Sequence, residues 1–168
     1  MPTDAKDDGL APFGIVLAAN KSDFDEARSL FLEYAASLTI DLGFQGFEAE
    51  QASLPGKYVP PRGALFLMRR SGRDAFGVAG LRPFDWPRSC EVKRLYVRPE
   101  GRGTGAGRLL MAQAIAFAER AGYGEMLLDS LPTMTAAIKL YRSFGFREIP
   151  PYWRNTLPGF LYFSKRLS

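Results

Sequence analysis

The chain has 168 residues, 46% apolar and 24% charged, which suits one soluble globular domain with a full hydrophobic core. Its net charge of +4 is too small for the dense basic stripe of a nucleic-acid binder, and no apolar run approaches the roughly 20 residues of a membrane span. One cysteine and no histidine exclude a disulfide framework, Ser-His-Asp and Cys-His catalysis and the usual histidine-containing zinc sites.

The start, "MPTDAKDDGLAP", is acidic and polar and has no basic-then-apolar signal pattern. Residues 1–10 read as a disordered lead-in and the protein as cytoplasmic. "FGIVLAA" is a first strand. Ser22 then precedes an amphipathic helix with acidic residues in its first turn and Gly43 at its end. Phe24, Ala27, Leu30, Phe31, Tyr34 and Leu38 form its buried face. "FEAEQASLPGKY" is a shorter helix, broken by Pro55-Gly56. "ALFLMRR", "SGRD" and "AFGVAGLR" form a hairpin, with Arg69, Arg70 and Arg73 solvated around its turn.

"CEVKRLYVR" is the next strand. In regular geometry Glu91, Lys93, Leu95 and Val97 share one face. Cys90 reads as a small buried hydrophobe. A glycine loop follows, then the helix "GRLLMAQAIAFAERAGYG" with Gly122 near its cap. "EMLLDS" is a strand. Pro132 and Thr133 open another helix, "TMTAAIKLYRSF", stopped by Gly145. "FREIP" and "FLYFSKRL" are the last strands. No repeat, linker or second domain is visible, so residues 11–168 form one unit.

The loop "RPEGRGTGAGRLL" places four glycines among arginines at a strand-to-helix junction. A helix N-terminus offers unpaired N–H groups, and glycine lets an anion approach that backbone. The loop lacks the Lys-Ser or Lys-Thr of a nucleotide P-loop. It also lacks the spacing of a dinucleotide fingerprint. Arg102-Gly103-Thr104-Gly105-Ala106-Gly107 does fit R-x-x-G-x-G, and "AAIKLYRSFGF" fits A-x-x-L-Y-x-x-x-G-F. With the element order, these segments resemble the GNAT superfamily of N-acetyltransferases across roughly residues 13–167.

The resemblance implies an α/β (α+β) fold. Its mixed, mostly antiparallel sheet splays at the cofactor strand and is flanked by about four helices. It implies acetyl transfer from acetyl-coenzyme A to a primary amine of a small molecule or peptide through a ternary complex, without a metal. The alternative is a non-catalytic acyl-coenzyme A sensing module. Pantetheine would pair with Leu95, Tyr96 and Val97. Pyrophosphate would rest on Arg102, Gly103, Thr104, Gly105, Ala106, Gly107 and Arg108. The family often carries an asparagine where this chain has Met134, so that cofactor contact is missing.

With no histidine, the amine's proton needs another acceptor. Glu91 is the candidate, either directly if burial raises its pKa or through an ordered water. An ion pair with Lys93 or Arg94 is the alternative. Tyr141, in the L-Y motif, is the candidate acid toward the coenzyme sulfur, or else a core tyrosine. Asp129 and Ser130 lie at a strand end, where polar residues are routine, and could touch the acceptor. Phe44, Phe47, Trp86, Arg94 and Tyr152 are candidates for binding it, with core packing the alternative for the aromatics. A carboxylate-bearing acceptor could pair with Arg94 or Arg154. No nucleic-acid or membrane partner is expected. Many members of the family are dimers, which allows a homodimer here.

Overall fold

The computed structural model describes residues 12–153 and 157–168. The lead-in expected over residues 1–10 and the candidate Arg154 lie outside the described residues. The seven strands are β1 (Phe13–Leu17), β2 (Ala64–Arg70), β3 (Ala75–Pro83), β4 (Ser89–Val97), β5 (Glu125–Ser130), β6 (Arg147–Ile149) and β7 (Leu161–Arg166). They form one sheet in the order β1-β2-β3-β4-β5-β7-β6. Every described pairing is antiparallel except β4 with β5. The helices are α1 (Lys21–Ser37), α2 (Phe47–Ala52), α3 (Ala106–Arg120) and α4 (Thr135–Ser143).

Strand β2 shows why the sheet is central. Ala64 through Met68 are all buried, a continuous apolar run rather than an alternating one. Such a run belongs to a strand covered on both faces. Phe66 and Met68 join a core with Leu110, Met111, Ala114 and Ala118 of α3 and Ile138 and Tyr141 of α4. Leu65 and Leu67 join a second core with Ala27, Leu30 and Phe31 of α1 and Phe47 of α2. The sheet therefore carries α3 and α4 on one face and α1 and α2 on the other.

Some sequence expectations need correction. Asn20, not Ser22, caps α1: its Oδ1 accepts from the Asp23 N–H at 3.0 Å, and Asp23 reaches back to the Asn20 N–H. This reciprocal box satisfies two otherwise orphaned groups at once. Helix α1 ends at Ser37, and Gly43 belongs to a separate 3-10 turn (Leu42–Gln45), whose Asp41 side chain accepts from the Gly43 N–H at 2.7 Å. Helix α4 begins at Thr135 rather than at Pro132-Thr133. Arg69 is not simply solvated. It lies 2.7 Å from both Asp23 and Glu26 and ties α1 to β2.

The most consequential correction lies in β4. Gly80 pairs with Lys93 and Val78 with Tyr96, so three steps of β4 oppose two of β3. That is a β-bulge, which flips the alternation of side chains. Arg94 sits in it at φ +60°, a left-handed backbone that a non-glycine residue rarely adopts. Glu91 and Lys93 therefore do not share a face with Leu95 and Val97. Leu95 and Val97 pack toward the α3 side, while Lys93 and Arg94 both reach Gln45 on the other face.

Candidate active site

Strands β4 and β5 pair only from Ser89↔Glu125 to Glu91↔Leu127. Beyond that pair their ladder stops, and the sheet opens into a wedge. A groove of about 560 Å³ starts in this wedge and runs over the glycine loop. It is lined by Leu95, Tyr96 and Val97 of β4, by loop and helix residues from Gly101 to Arg108, and by Met134, Ala137 and Leu140 of the α4 region. The structure thus brings together nine of the ten residues named from the sequence for the cofactor. The tenth, Thr104, instead braces the loop: its hydroxyl donates to the Gly101 carbonyl at 2.6 Å.

The loop is built for an anion. Gly103 and Gly105 have φ of +76° and +87°, and a Cβ on either would meet nothing within 4 Å. The open space over the start of α3 is where an added side chain, or a bound phosphate, would go. Arg102 and Arg108 are exposed at the rim. Arg102 Nε donates to the Val97 carbonyl at 3.1 Å, and Arg108 Nη2 to Ser143 Oγ at 2.9 Å. A groove lined by a strand edge and an open glycine loop suits a ligand that joins a linear chain to a phosphate. Met134 lines it and supplies no side-chain hydrogen bond to cap α4.

Beside the groove, at the root of the wedge, lies a small closed pocket of about 20 Å³, enough for one water-sized group. Tyr34 and Leu95 line both spaces. Val92, Lys93, Arg94, Leu128, Asp129 and Tyr141 complete the closed one. Tyr141 comes from α4, and Tyr34 from α1. Burial pushes the Tyr141 phenol well above its ordinary pKa, with further upward contributions from Tyr34 and Asp129. Burial likewise pushes Tyr34 up to about 12.

A buried ionic network occupies the α1–α2 side. Arg82 donates from Nε and Nη2 to Glu91 Oε1 at 3.1 and 2.9 Å, and from Nη1 to Glu50 at 3.2 Å. Arg94 donates to Glu50 at 2.8 Å and to Gln45 at 2.9 Å, and lies over the Phe47 ring. Lys93 reaches Gln45 Oε1 at 3.1 Å and Asp129 Oδ1 at 3.4 Å, and Gln45 Nε2 donates to Asp129 Oδ2 at 3.0 Å. Among the described residues, Arg94 Nη2 is the buried side-chain nitrogen left without a partner.

Glu91 has 0% exposure. Besides Arg82, its Oε2 accepts from Tyr152 Oη at 2.8 Å and Trp153 Nε1 at 3.1 Å. Burial alone would raise its pKa. The charges of Lys93 and Arg82 and the hydrogen bonds from Tyr152 and Arg82 outweigh it and hold the carboxyl below its ordinary value. The expectation that burial raises Glu91 is therefore corrected: it is an ionised, fully paired carboxylate. Lys93 is part of that pairing electrostatically, while Arg94 pairs with Glu50 instead.

The aromatic candidates separate. Phe47 is core, 7% exposed, beneath Arg94. Phe44 is half-buried and meets Phe160 edge-on at 5.5 Å. Trp86, 42% exposed, stands against Phe84 at 5.5 Å and Tyr152 at 6.0 Å. Trp153 joins the same wall, with Lys93 and Arg82 over its ring. Cys90 is buried, its thiol pushed up to about 12 by burial and then by Glu91. Nothing in the sequence marks Arg82 as a site residue, and Gln45 and Glu50 lie in the segment LGFQGFEAE, expected beside the acceptor, without being singled out there. Each is ordinary in its own segment, and only the β3–β4 register and the α1–α2 turn bring them to Glu91 and Lys93.

A wedge-split sheet, a glycine loop at a helix start and a polar pocket at the split define an acyl-coenzyme A transferase fold. The chain belongs to the acetyltransferase (GNAT) family, which it matches over residues 27–146, and it is an acyltransferase. An uncharacterised N-acetyltransferase of Schizosaccharomyces pombe is 39% identical over 161 residues, covering 95% of this chain and 99% of that protein. N-acetylaspartate synthetase of Rattus norvegicus is 27% identical over 135 residues, covering 79% of this chain and 45% of that protein. Among solved structures, a GNAT-family acetyltransferase of Staphylococcus aureus superposes with a TM-score of 0.78 at 19% identity, covering 94% of this chain and all of that one. A putative acetyltransferase from Salmonella typhimurium with its cofactor acetyl-CoA gives 0.66 at 22% identity, covering 93% and 94%. At these identities the structural likeness speaks for the fold. No helix among the described residues is long and apolar enough to cross a membrane.

Proposed function

We propose that this chain transfers the acetyl group of acetyl-coenzyme A to a primary amine of a small molecule or peptide within a ternary complex. The observation that carries the reading is the shared wall of the two spaces: Tyr34 and Leu95 line both the groove over the glycine loop and the closed polar pocket. When bound, the cofactor supplies an activated thioester. Everything else is the work of this chain's residues.

The backbone N–H groups at the start of α3, with Arg102 and Arg108, hold the pyrophosphate. Leu95, Tyr96 and Val97 offer pantetheine a strand edge that β5 no longer fills. Tyr141, which lines the closed pocket, would give the departing sulfur its proton. Glu91, enclosed by four donor groups, does not meet the amine directly. It acts through Tyr152, whose hydroxyl it holds, and keeps the Tyr152–Trp153 wall in place beside Trp86.

The acceptor enters on the α1–α2 face, over Phe44, Trp86 and Tyr152. Arg94 Nη2 favours an acceptor with a carboxylate or carbonyl near its amine, since the partner it lacks is an oxygen. One relative is named for an amino-acid product, N-acetylaspartate, which fits that preference. The test is thiol release from acetyl-coenzyme A with a panel of amino acids, peptides, aryl amines and polyamines. Turnover with carboxylate-bearing amines is the expected result. Turnover of polyamines alone would overturn the acceptor reading.

A further inference from the structure

The sealed state of Glu91 leaves the amine's proton without a direct acceptor, and the closed pocket offers one. Asp129 sits on β5 two residues past its last pair with β4 and lines the pocket. It is held from the α1–α2 side by Gln45 and from β4 by Lys93. Two donors leave a carboxylate with free acceptor capacity, where Glu91 has spent its own. Tyr141 approaches the same pocket from the opposite face, out of the α3–α4 core. Both line the one pocket that lies where β4 and β5 part.

We propose that Asp129 and Tyr141, meeting in this pocket from opposite faces of the sheet, form the proton relay of acetyl transfer. The proposal rests on the transferase reading above and deepens it. As the nitrogen–carbon bond forms and the carbon–sulfur bond breaks, the nitrogen becomes acidic and passes one proton to Asp129. The sulfur takes one proton from the Tyr141 hydroxyl. The proton on Asp129 then returns to Tyr141, directly or through one water, and the enzyme ends as it began. The order of events is favoured by charge. While Asp129 is ionised it makes Tyr141 harder to deprotonate. Once Asp129 has taken the amine's proton, that charge is gone and Tyr141 becomes a better acid.

Several other groups face Asp129. Lys93 and Arg94 come from β4, Tyr34 from α1, Gln45 from the turn before α2, and Tyr152 from beyond β6. Tyr162 of β7 pairs with it in register. None is a free carboxylate. The other buried carboxylates of the network, Glu50 and Glu91, are each held by arginine.

Asp129→Asn keeps the size and most hydrogen bonds of the side chain and tests the relay in two ways. In the free enzyme, with tyrosine labelled at its ring carbon Cζ, the Tyr141 resonance is expected to shift as Asp129 gains its proton on acidification. Tyr141→Phe assigns the resonance, and the shift should vanish in Asp129→Asn. In turnover, Asp129→Asn is expected to lower kcat about 100-fold, within the usual span for positioned proton transfer, with unchanged coenzyme A affinity by calorimetry. A Tyr141 resonance that titrates identically with and without Asp129 would overturn the relay, as would Asp129→Asn turnover within about threefold of the parent. The resonance needs no acceptor. A failure to find a substrate would therefore strike the transferase reading and leave this measurement to decide the relay.

Discussion

Lys93 Nζ stands 3.4 Å from Asp129 Oδ1, bridging β4 and β5 two residues beyond their last ladder pair. The bridge spans the root of the wedge and holds its two walls at a set distance. A side-chain contact takes over where backbone hydrogen bonding ends.

The glycine loop gives the plainest prediction. Gly105→Val adds a β-branched side chain at φ +87°, in the open space over α3. Backbone strain there should cost about 1–3 kcal/mol of stability. Coenzyme A affinity should fall at least about tenfold, about 1.4 kcal/mol, because the anion and the side chain compete for one space. Calorimetry on the folded variant measures it, and unchanged affinity would remove the loop from the cofactor site.

Glu91→Gln tests the ionic network. It is nearly isosteric, yet it leaves Arg82 facing a neutral amide, so a stability loss of about 3 kcal/mol is expected, typical of a broken buried pair. The pH dependence has a definite sign. Glu91 has a lowered pKa in the folded protein, so its contribution is full above the ordinary carboxylate range and is lost as pH falls through the folded value. Urea unfolding from pH 7 downward should show the parent losing stability toward acid faster than Glu91→Gln. Parallel curves would mean that Glu91 is not held ionised by its neighbours.

Tyr141→Phe removes one hydroxyl from a residue 5% exposed and leaves its contacts with Phe146 and Phe163. A kcat lowered about 100-fold with coenzyme A affinity intact is expected. A parallel loss of affinity would instead mark a packing role.

Trp86→Ala addresses the acceptor side. The indole is 42% exposed and makes two edge contacts, so stability should change by no more than about 1 kcal/mol. KM for the amine should rise several-fold, with KM for acetyl-coenzyme A unchanged. Steady-state kinetics with both substrates varied would separate the two, and an unchanged amine KM would take Trp86 out of the acceptor wall.

The cofactor side was legible because it is local. R-x-x-G-x-G places its amides within one loop, and the strand before it supplies Leu95, Tyr96 and Val97 by adjacency. The acceptor side was legible only as single candidates such as Trp86, Arg94 and Tyr152, and not in its pairings, because it is assembled from distant segments. Arg82 meets Glu91 only through hairpin register, Glu50 and Gln45 arrive from the α1–α2 region, and Tyr152 from beyond β6. The bulge at Arg94 was invisible because the stretch alternates like a regular strand, and only the three-against-two pairing with β3 shows the slip. Period-two reasoning therefore put Leu95 on the wrong face.

The network of Arg82, Lys93 and Arg94 with Glu50, Glu91 and Asp129 sets three positive charges against three negative ones in the protein's interior. Replacing one member by a neutral residue leaves the network as a whole with one unmatched charge. Change at this site is therefore least costly as a matched exchange, an acid and a base together. Trp86 and Phe44, outside the ionic ledger, remain free to drift singly. Descendants of such a chain could retune which amine they accept through the aromatic rim long before the charged floor beneath it changed.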